Sequence, residues 1–254
     1  GSPTAGFVVT DISPDQAVPI RNVVVQVVTN RRIDEDSVAN AVTVREVGGA
    51  DVPGSIEIRN NRISFTPDAL CPEPNEDRNC FAENTQYQVE VNSALEDSTG
   101  RNLDCSLERC LATFETGSLV DTEDPETTYN FPFNGTTLVP NTDIITRASA
   151  TDDAGIALIE FSAGGVVYDA VPVSELLQSA TLETLWNNST YQPGSRYSLE
   201  ARAIDVAGND DSASVAVRIG PAHCYDGEQN ENETGIDCGG NCGACGGDVC
   251  TEDS

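Results

Sequence analysis

The chain has 254 residues and a mass of 26.9 kDa, with 42 acidic residues against 13 basic ones, a formal charge of -29 and a pI near 4.1. Every basic residue is an arginine; there is no lysine or methionine, and a single histidine, His223. This field opposes nucleic acid, whose phosphates require cations, and anionic membrane surfaces. No apolar run approaches the roughly 18 residues of a spanning helix, so no membrane insertion is expected within this segment.

In chain order, the leading Gly-Ser-Pro lacks an initiator Met and reads as a cloning scar. Val23, Val25 and Val27 then share one face of VVVQVV, Ile56 and Ile58 one face of SIEIR, and Ile63 and Phe65 one face of RISFT. Tyr87, Val89 and Val91 alternate with polar residues in YQVEV. Turn signals separate these runs at Gly48-Gly49, Pro53-Gly54, Asn60-Asn61 and Ser98 to Gly100. Short strands at this spacing predict a sandwich or barrel rather than a parallel sheet with crossover helices. Residues 118–127, SLVDTEDPET, read as an acidic, proline-broken linker whose like charges repel.

A second set of strands follows. Leu158 and Phe161 lie in IALIEF; Tyr197, Leu199, Ala201 and Ala203 in RYSLEARA; Val215, Val217 and Ile219 in SVAVRI. SELLQSA, residues 174–180, is expected to form a helical turn or two. After Gly220 the pattern stops, and residues 221–254 hold too few large apolar side chains to build a core without crosslinks or metal.

The nine cysteines point to an oxidising compartment. Cys71, Cys80, Cys105 and Cys110 lie in the first half, where each pair closes a polar insertion; local bridges are expected, each worth roughly 2–3 kcal/mol. Cys224, Cys238, Cys242, Cys245 and Cys250 crowd the tail, whose odd number leaves one unassigned and whose pairing stays open.

Several spaced elements resemble known families. FVVTDISPDQAVPIRNVVVQVVTNRRID, ISFTPDAL, NTQYQVEV, LEDSTGRNL and FETG resemble, in order over residues 5–117, the bacterial Ig-like domain of S-layer and surface proteins. CPEPNEDRNC after Leu70 and CSLERC before the last strand depart from that pattern as insertions. ASATDDAGIALIEFSAGG, Trp186 and PGSRYSLEARAIDVAGNDDSASVAVRI resemble a second bacterial Ig-like type, and CYDGEQNENETGIDCGGNCGAC resembles a cysteine-rich DCGG-type module of bacterial extracellular proteins. The resemblances imply an all-β chain. Two tandem Ig-like β-sandwiches, residues 1–117 and 128–220, flank the linker and precede a small, loop-dominated, disulfide-rich module at 221–254. They imply architecture and an extracellular or cell-surface setting, not a reaction.

Catalysis finds little support in the residues. A serine or cysteine nucleophile needs a nearby base, and His223 beside Cys224 is the only histidine. No nucleophile-elbow motif is present, and scattered acids on small sandwiches ordinarily form a solvated surface. The chain is expected not to be an enzyme.

Calcium, which takes several carboxylate and carbonyl oxygens, is the expected cofactor, with three candidate clusters. Asp152, Asp153 and Gly155 in ATDDAGI are placed at one end of the sandwich with Asp205, Gly208, Asn209 and Asp210 in IDVAGND; the alternative is that each is a tight turn capped by its own side chain. In the tail, Asp226, Asn230, Asn232, Glu233 and Asp237 suit either a metal-organised loop or one held by disulfides alone. The linker acids Asp121, Glu123, Asp124 and Glu126 either stiffen the junction through an ion or remain solvated. Zinc on Cys238, Cys242, Cys245, Cys250 and His223 competes with oxidation of the same cysteines.

The functional expectation is a non-catalytic stalk, spacer or adhesive segment of a larger exported bacterial surface protein. One alternative is a recognition module for a glycan or protein, for which Tyr129, Phe131 and Phe133 in TTYNFPFNG are the candidate residues, unless they form the seam between the domains. Another is a set of accessory domains of a larger secreted enzyme.

Overall fold

The computed structural model describes residues 6–39, 41–106 and 110–245. Seven strands build the first unit: β1 (Val9–Ser13), β2 (Val25–Thr29), β3 (Val42–Glu46), β4 (Gly54–Arg59), β5 (Arg62–Pro67), β6 (Gln86–Val91) and β7 (Leu111–Glu115). They form a four-stranded sheet in the order β1-β2-β5-β4 and a three-stranded sheet β3-β6-β7, antiparallel throughout. The alternating residues named above meet between the layers. Val23, Val25, Val27, Ile63 and Phe65 pack against Tyr87, Val89, Val91 and Phe114 in one cluster, with the Phe81 ring 4.6 Å from that of Tyr87. Ile56 departs from its predicted pairing with Ile58 and is exposed, because β4 is the sheet edge.

The second unit comprises β8 (Glu126–Phe131), β9 (Thr137–Leu138), β10 (Asp143–Ala163), β11 (Val166–Asn187), β12 (Arg196–Asp205) and β13 (Asp210–Ile219). The unusual lengths of β10 and β11 have a local cause. The β10 register with β11 breaks between Thr151 and Ile156, at a corner of residues 152–155. Residues before the corner pair with β8 and those after it with β12. The two halves then face each other: Ala148 and Ala150 pack with Ile159, Phe161, Ala201 and Ala203 in one core. Gly155 turns the corner at φ +112°, and a Cβ there would lie 2.6 Å from Leu176. Residues 174–180 lie within β11 and not in a helical turn. Their ladder with β10 continues across the corner, with Leu177 opposite Ile156 and Ser179 opposite Thr151, and tertiary pairing overrides local propensity. Trp186, 1% exposed, closes the far core with Leu138, Leu199 and Ile219.

The units do not hang on a solvated tether. All five β2 residues are buried, because the outer face of the first sheet, polar by composition, is covered by the second unit. Val28 joins Leu158, Ala170 and Ile204 in an apolar cluster, while Ala154, Ala157, Val206 and Ala207 enter the first unit's core. The Val24 N–H donates to the Val206 carbonyl at 3.0 Å, and Asn61 accepts from the Ala170 N–H at 3.1 Å while donating to the Thr29 carbonyl at 3.0 Å. At the centre Glu160 is buried against Arg62 (2.9 Å), with Arg202 at 3.4 Å and Arg59 at 3.8 Å.

Gly208 makes this close approach. Its φ is +86°, and a Cβ would stand 2.6 Å from the Val24 side chain of the other unit. Gly208→Ala is therefore expected to lower stability by about 2–3 kcal/mol, combining left-handed strain with overpacking, as read by urea unfolding.

Candidate cation site at the domain junction

Two of the three acidic clusters expected from sequence, the linker acids and the turn acids of the second unit, are brought together at this junction. Asp121 leaves the linker, Asp152 opens the corner of β10, and Asp205 ends β12. One carboxylate oxygen from each lies within 4.8 Å of the other two. The linker does not float as a self-repelling run: Asn22 donates to the Asp121 carbonyl at 2.6 Å and accepts from its N–H at 2.9 Å, which buries Asp121. The remaining linker acids, Glu123, Asp124 and Glu126, stay exposed.

Each carboxylate also shapes its own turn. Asp152 accepts from the Ala154 and Gly155 N–H groups through one oxygen, at 2.9 and 2.8 Å. Asp205 accepts from the Asn209 N–H at 2.8 Å and from its amide nitrogen at 2.7 Å. The same Asn209 nitrogen donates to Asp121 at 3.2 Å. So the turn-capping alternative and the cluster coexist, because each carboxylate has more lone pairs than its cap uses. Asp153, the neighbour of Asp152, is exposed, and Asp210 is taken by a two-pronged contact with Arg202 at 2.7 Å.

Among the described residues no ion pair includes Asp121, Asp152 or Asp205. Burial, reinforced by the Asp121 and Asp152 charges beside it, pushes the fully buried Asp205 carboxyl up to about 8. Burial likewise raises Asp152. The site therefore demands a positive partner, a proton or a cation. Hard cations bind oxygens at about 2.3–2.6 Å, so the oxygens around one ion lie within about 5 Å of one another, a limit these three meet at 4.8 Å. The residue that composition and spacing did not single out is Arg78, whose guanidinium donates to the Asn209 amide oxygen.

The tail arranges its oxygens differently. Asp226 accepts from the Glu228 N–H and the Asn230 amide, Asp237 from the Gly227 N–H, Glu233 from the Asn230 and Asp237 N–H groups, and Asn232 from the Asn241 N–H. These contacts organise the loop on its own donors, backbone N–H groups and the Asn230 amide, and among the described residues they do not bring three carboxylates to one point. The described tail is pinned by Cys224–Cys242 and Cys238–Cys245, while Cys71–Cys80 and Cys105–Cys110 close the two insertions as expected. His223, Cys224, Glu233 and Cys242 do gather, but two of them form a disulfide and offer no thiolate to zinc. Cys250, the odd cysteine, lies outside the described residues. Tyr129 is half-buried against the second unit's cores; Phe131 and Phe133 are exposed, their rings 5.7 Å apart, and take no part in the seam between the units.

Two sandwiches, antiparallel except for the parallel pairing of β13 with β9, are joined at an acidic junction and define an all-β, tandem Ig-like protein. Residues 3–116 match the family model described as bacterial Ig-like domain, and residues 125–201 match that described as bacterial Ig domain. The chain thus carries two tandem bacterial Ig-like domains, a type that is typically a non-catalytic accessory module. Among solved structures, the fibronectin(III)-like modules of Clostridium thermocellum CbhA are 18% identical at a TM-score of 0.32, covering 38% of this chain and 99% of that one. Rst D1-D2 is 11% identical at 0.29, covering 85% and 100%, and titin domains z1z2 in complex with telethonin are 11% identical at 0.27, covering 86% and 98%. No curated protein matches the chain.

Proposed function

We propose that the chain is a non-catalytic spacer segment of an exported bacterial surface protein, and that calcium bound by Asp121, Asp152 and Asp205 rigidifies the junction between its two Ig-like domains. The observation that carries this reading is the convergence of three carboxylates from the linker and two turns, Asp121 and Asp205 buried and Asp152 half-buried, with no salt-bridge partner among the described residues. A spacer transmits position only if its joints resist bending, and an ion shared by linker and domain adds stiffness where a solvated linker would not.

Thermal unfolding of the whole chain in millimolar calcium and in EDTA tests this. Calcium at about 100 times its dissociation constant adds about 2.7 kcal/mol, or roughly 5–10 °C. Asp152→Asn separates the ion from the fold. Its amide oxygen keeps the caps on Ala154 and Gly155, while its NH2 faces two carboxylates in place of a third negative charge. In EDTA this variant is expected to melt roughly 2–4 °C higher, a gain of about 1 kcal/mol, and to lose the calcium response. A calcium shift that persists in Asp152→Asn places the ion elsewhere and sinks the site.

The second reading, a glycan- or protein-recognition module, is favoured by one observation: Phe133 is 70% exposed beside Phe131, with Ile145 and Leu185 also exposed in the strands nearby. A glycan and surface-ligand screen in calcium and in EDTA distinguishes the two, since a pure spacer captures nothing in either.

A further inference from the structure

The insertion at residues 71–80 has no place in the Ig-like pattern, and its geometry assigns it a role. We propose that this disulfide-closed loop is a strap that fastens the first domain onto the second, with Arg78 as its tip.

Cys71 and Cys80 bridge the base of the loop. The Cys71 N–H donates to the Arg78 carbonyl at 2.9 Å, the Cys80 N–H to the Ala69 carbonyl at 2.7 Å, and Arg78 and Asn75 each close a turn with N–H bonds of 3.0 Å. Both half-cystines are buried, so the base is anchored in the first domain. From this frame Arg78 reaches out of its own domain: one guanidinium nitrogen donates to the Asn209 amide oxygen in the second domain, and another lies 3.5 Å from the Thr122 carbonyl of the linker. Asn209 in turn donates to Asp205 and Asp121. A single side chain therefore ties the first domain, the linker and the second domain together.

The closed loop explains why an arginine suits this task. Holding a long, flexible side chain across a joint costs rotamer and loop entropy, and a loop ordered in advance by its own turns and crosslink lowers that cost. Guanidinium also presents several donors in a fixed fork, so it can serve two carbonyl acceptors on different segments at once, which lysine cannot do in that geometry. By taking the amide oxygen of Asn209, Arg78 fixes which face of that amide, its NH2, points at the two carboxylates. The strap's own contacts, from Arg78 to Asn209 and to the Thr122 carbonyl, include no carboxylate of the cation site and need no ion.

Amide hydrogen exchange on the whole chain, followed by NMR in EDTA and in millimolar calcium, tests it. The reporters are Val24 and Ala170, whose N–H groups cross from one domain to the other. Amides inside β6 and β12 report on each domain alone. Arg78→Ala is expected to speed exchange about tenfold at Val24 and Ala170 in EDTA and to leave β6 and β12 unchanged. Cys71→Ala with Cys80→Ala keeps Arg78 but frees the loop, and is expected to accelerate the same two amides by a smaller factor. Unchanged protection at Val24 and Ala170 in both variants overturns the strap. A calcium response that survives this failure leaves the cation reading standing; a working strap without any calcium response removes the cation reading alone.

Discussion

Glu160→Ala is expected to destabilise the chain by about 3–5 kcal/mol, the largest effect of any single polar substitution at the joint. Glu160 is 2% exposed and Arg62 opposite it is 3% exposed. The cluster as built is balanced: Arg59, Arg62 and Arg202 face Glu57, Glu160 and Asp210. Without Glu160, Arg59 keeps Glu57 and Arg202 keeps Asp210, both near the surface. Among the described residues Arg62 then keeps a 3.4 Å hydrogen bond to the Gln26 amide oxygen and the weaker attraction of Glu57, and is left as a buried cation without a paired carboxylate, which is why the cost concentrates there. Glu160→Gln retains an acceptor and should lose less. Glu160→Leu combined with Arg62→Met should recover most of the stability, since it removes both desolvated charges together. Urea unfolding of the four proteins checks this, and a loss below about 1 kcal/mol for Glu160→Ala would show that the cluster does not hold the joint.

The second large effect is a pH dependence that calcium abolishes. The Asp205 carboxyl is pushed up to about 8 from 3.8, so the folded chain holds a proton that the unfolded chain has released. A raised acid stabilises the fold below its unfolded value, and that contribution is lost as pH rises toward its folded value. In EDTA, stability should therefore fall between about pH 6 and pH 8, by up to about 1.4 kcal/mol per pH unit. Asp11, pushed up to about 6 by burial and by Asp15 nearby, has the same sign but finishes lower, so the upper window isolates the junction. Carboxylates at the opposite extreme, such as Asp210 held down by Arg202, act only at acid pH. On the proposed reading, calcium would bind the deprotonated site, so its affinity should rise with pH over the same window and offset the loss. Urea midpoints at three pH values, with and without calcium, read both slopes. A flat profile in EDTA would show that no proton is held at Asp205.

Much of the architecture was legible in the residues because alternation reports which face of a strand leaves water. The alternating apolar residues Val23, Val25 and Val27, Ile63 and Phe65, and Tyr87, Val89 and Val91 meet in one core, and those of RYSLEARA and SVAVRI line the two cores of the second domain. The local disulfides were legible for a related reason: short polar insertions bounded by cysteines have little else to hold them. SELLQSA misled, because the β11 ladder slips register there against the corner of β10, and the period of two is lost over those residues. Gln26 and Arg62 carried no local mark of their surroundings: they are polar residues between inward-facing ones, and the second domain covers that face and pairs the charge.

The candidate site divides along the same line. Asp152, Asp205 and Asn209 stood out because acid, glycine and asparagine in a tight turn are conspicuous whether they cap or ligate. Asp121 stood out only as one charge in an acidic run, and Arg78 not at all, since nothing near it in sequence marks a reach to Asn209.

By itself, then, the sequence determined everything that depends on neighbours along the chain: strand faces, turns, local crosslinks, the two Ig-like patterns and the excess of negative charge. Only the tertiary structure decided which acids share a site, which arginine faces which domain, and that the linker is buried at Asp121. Those contacts join residues far apart along the chain, 99 positions for Asn22 with Asp121 and 131 for Arg78 with Asn209. Local periodicity and spacing carry no record of pairs at that separation; they are set by how two independently legible sandwiches pack.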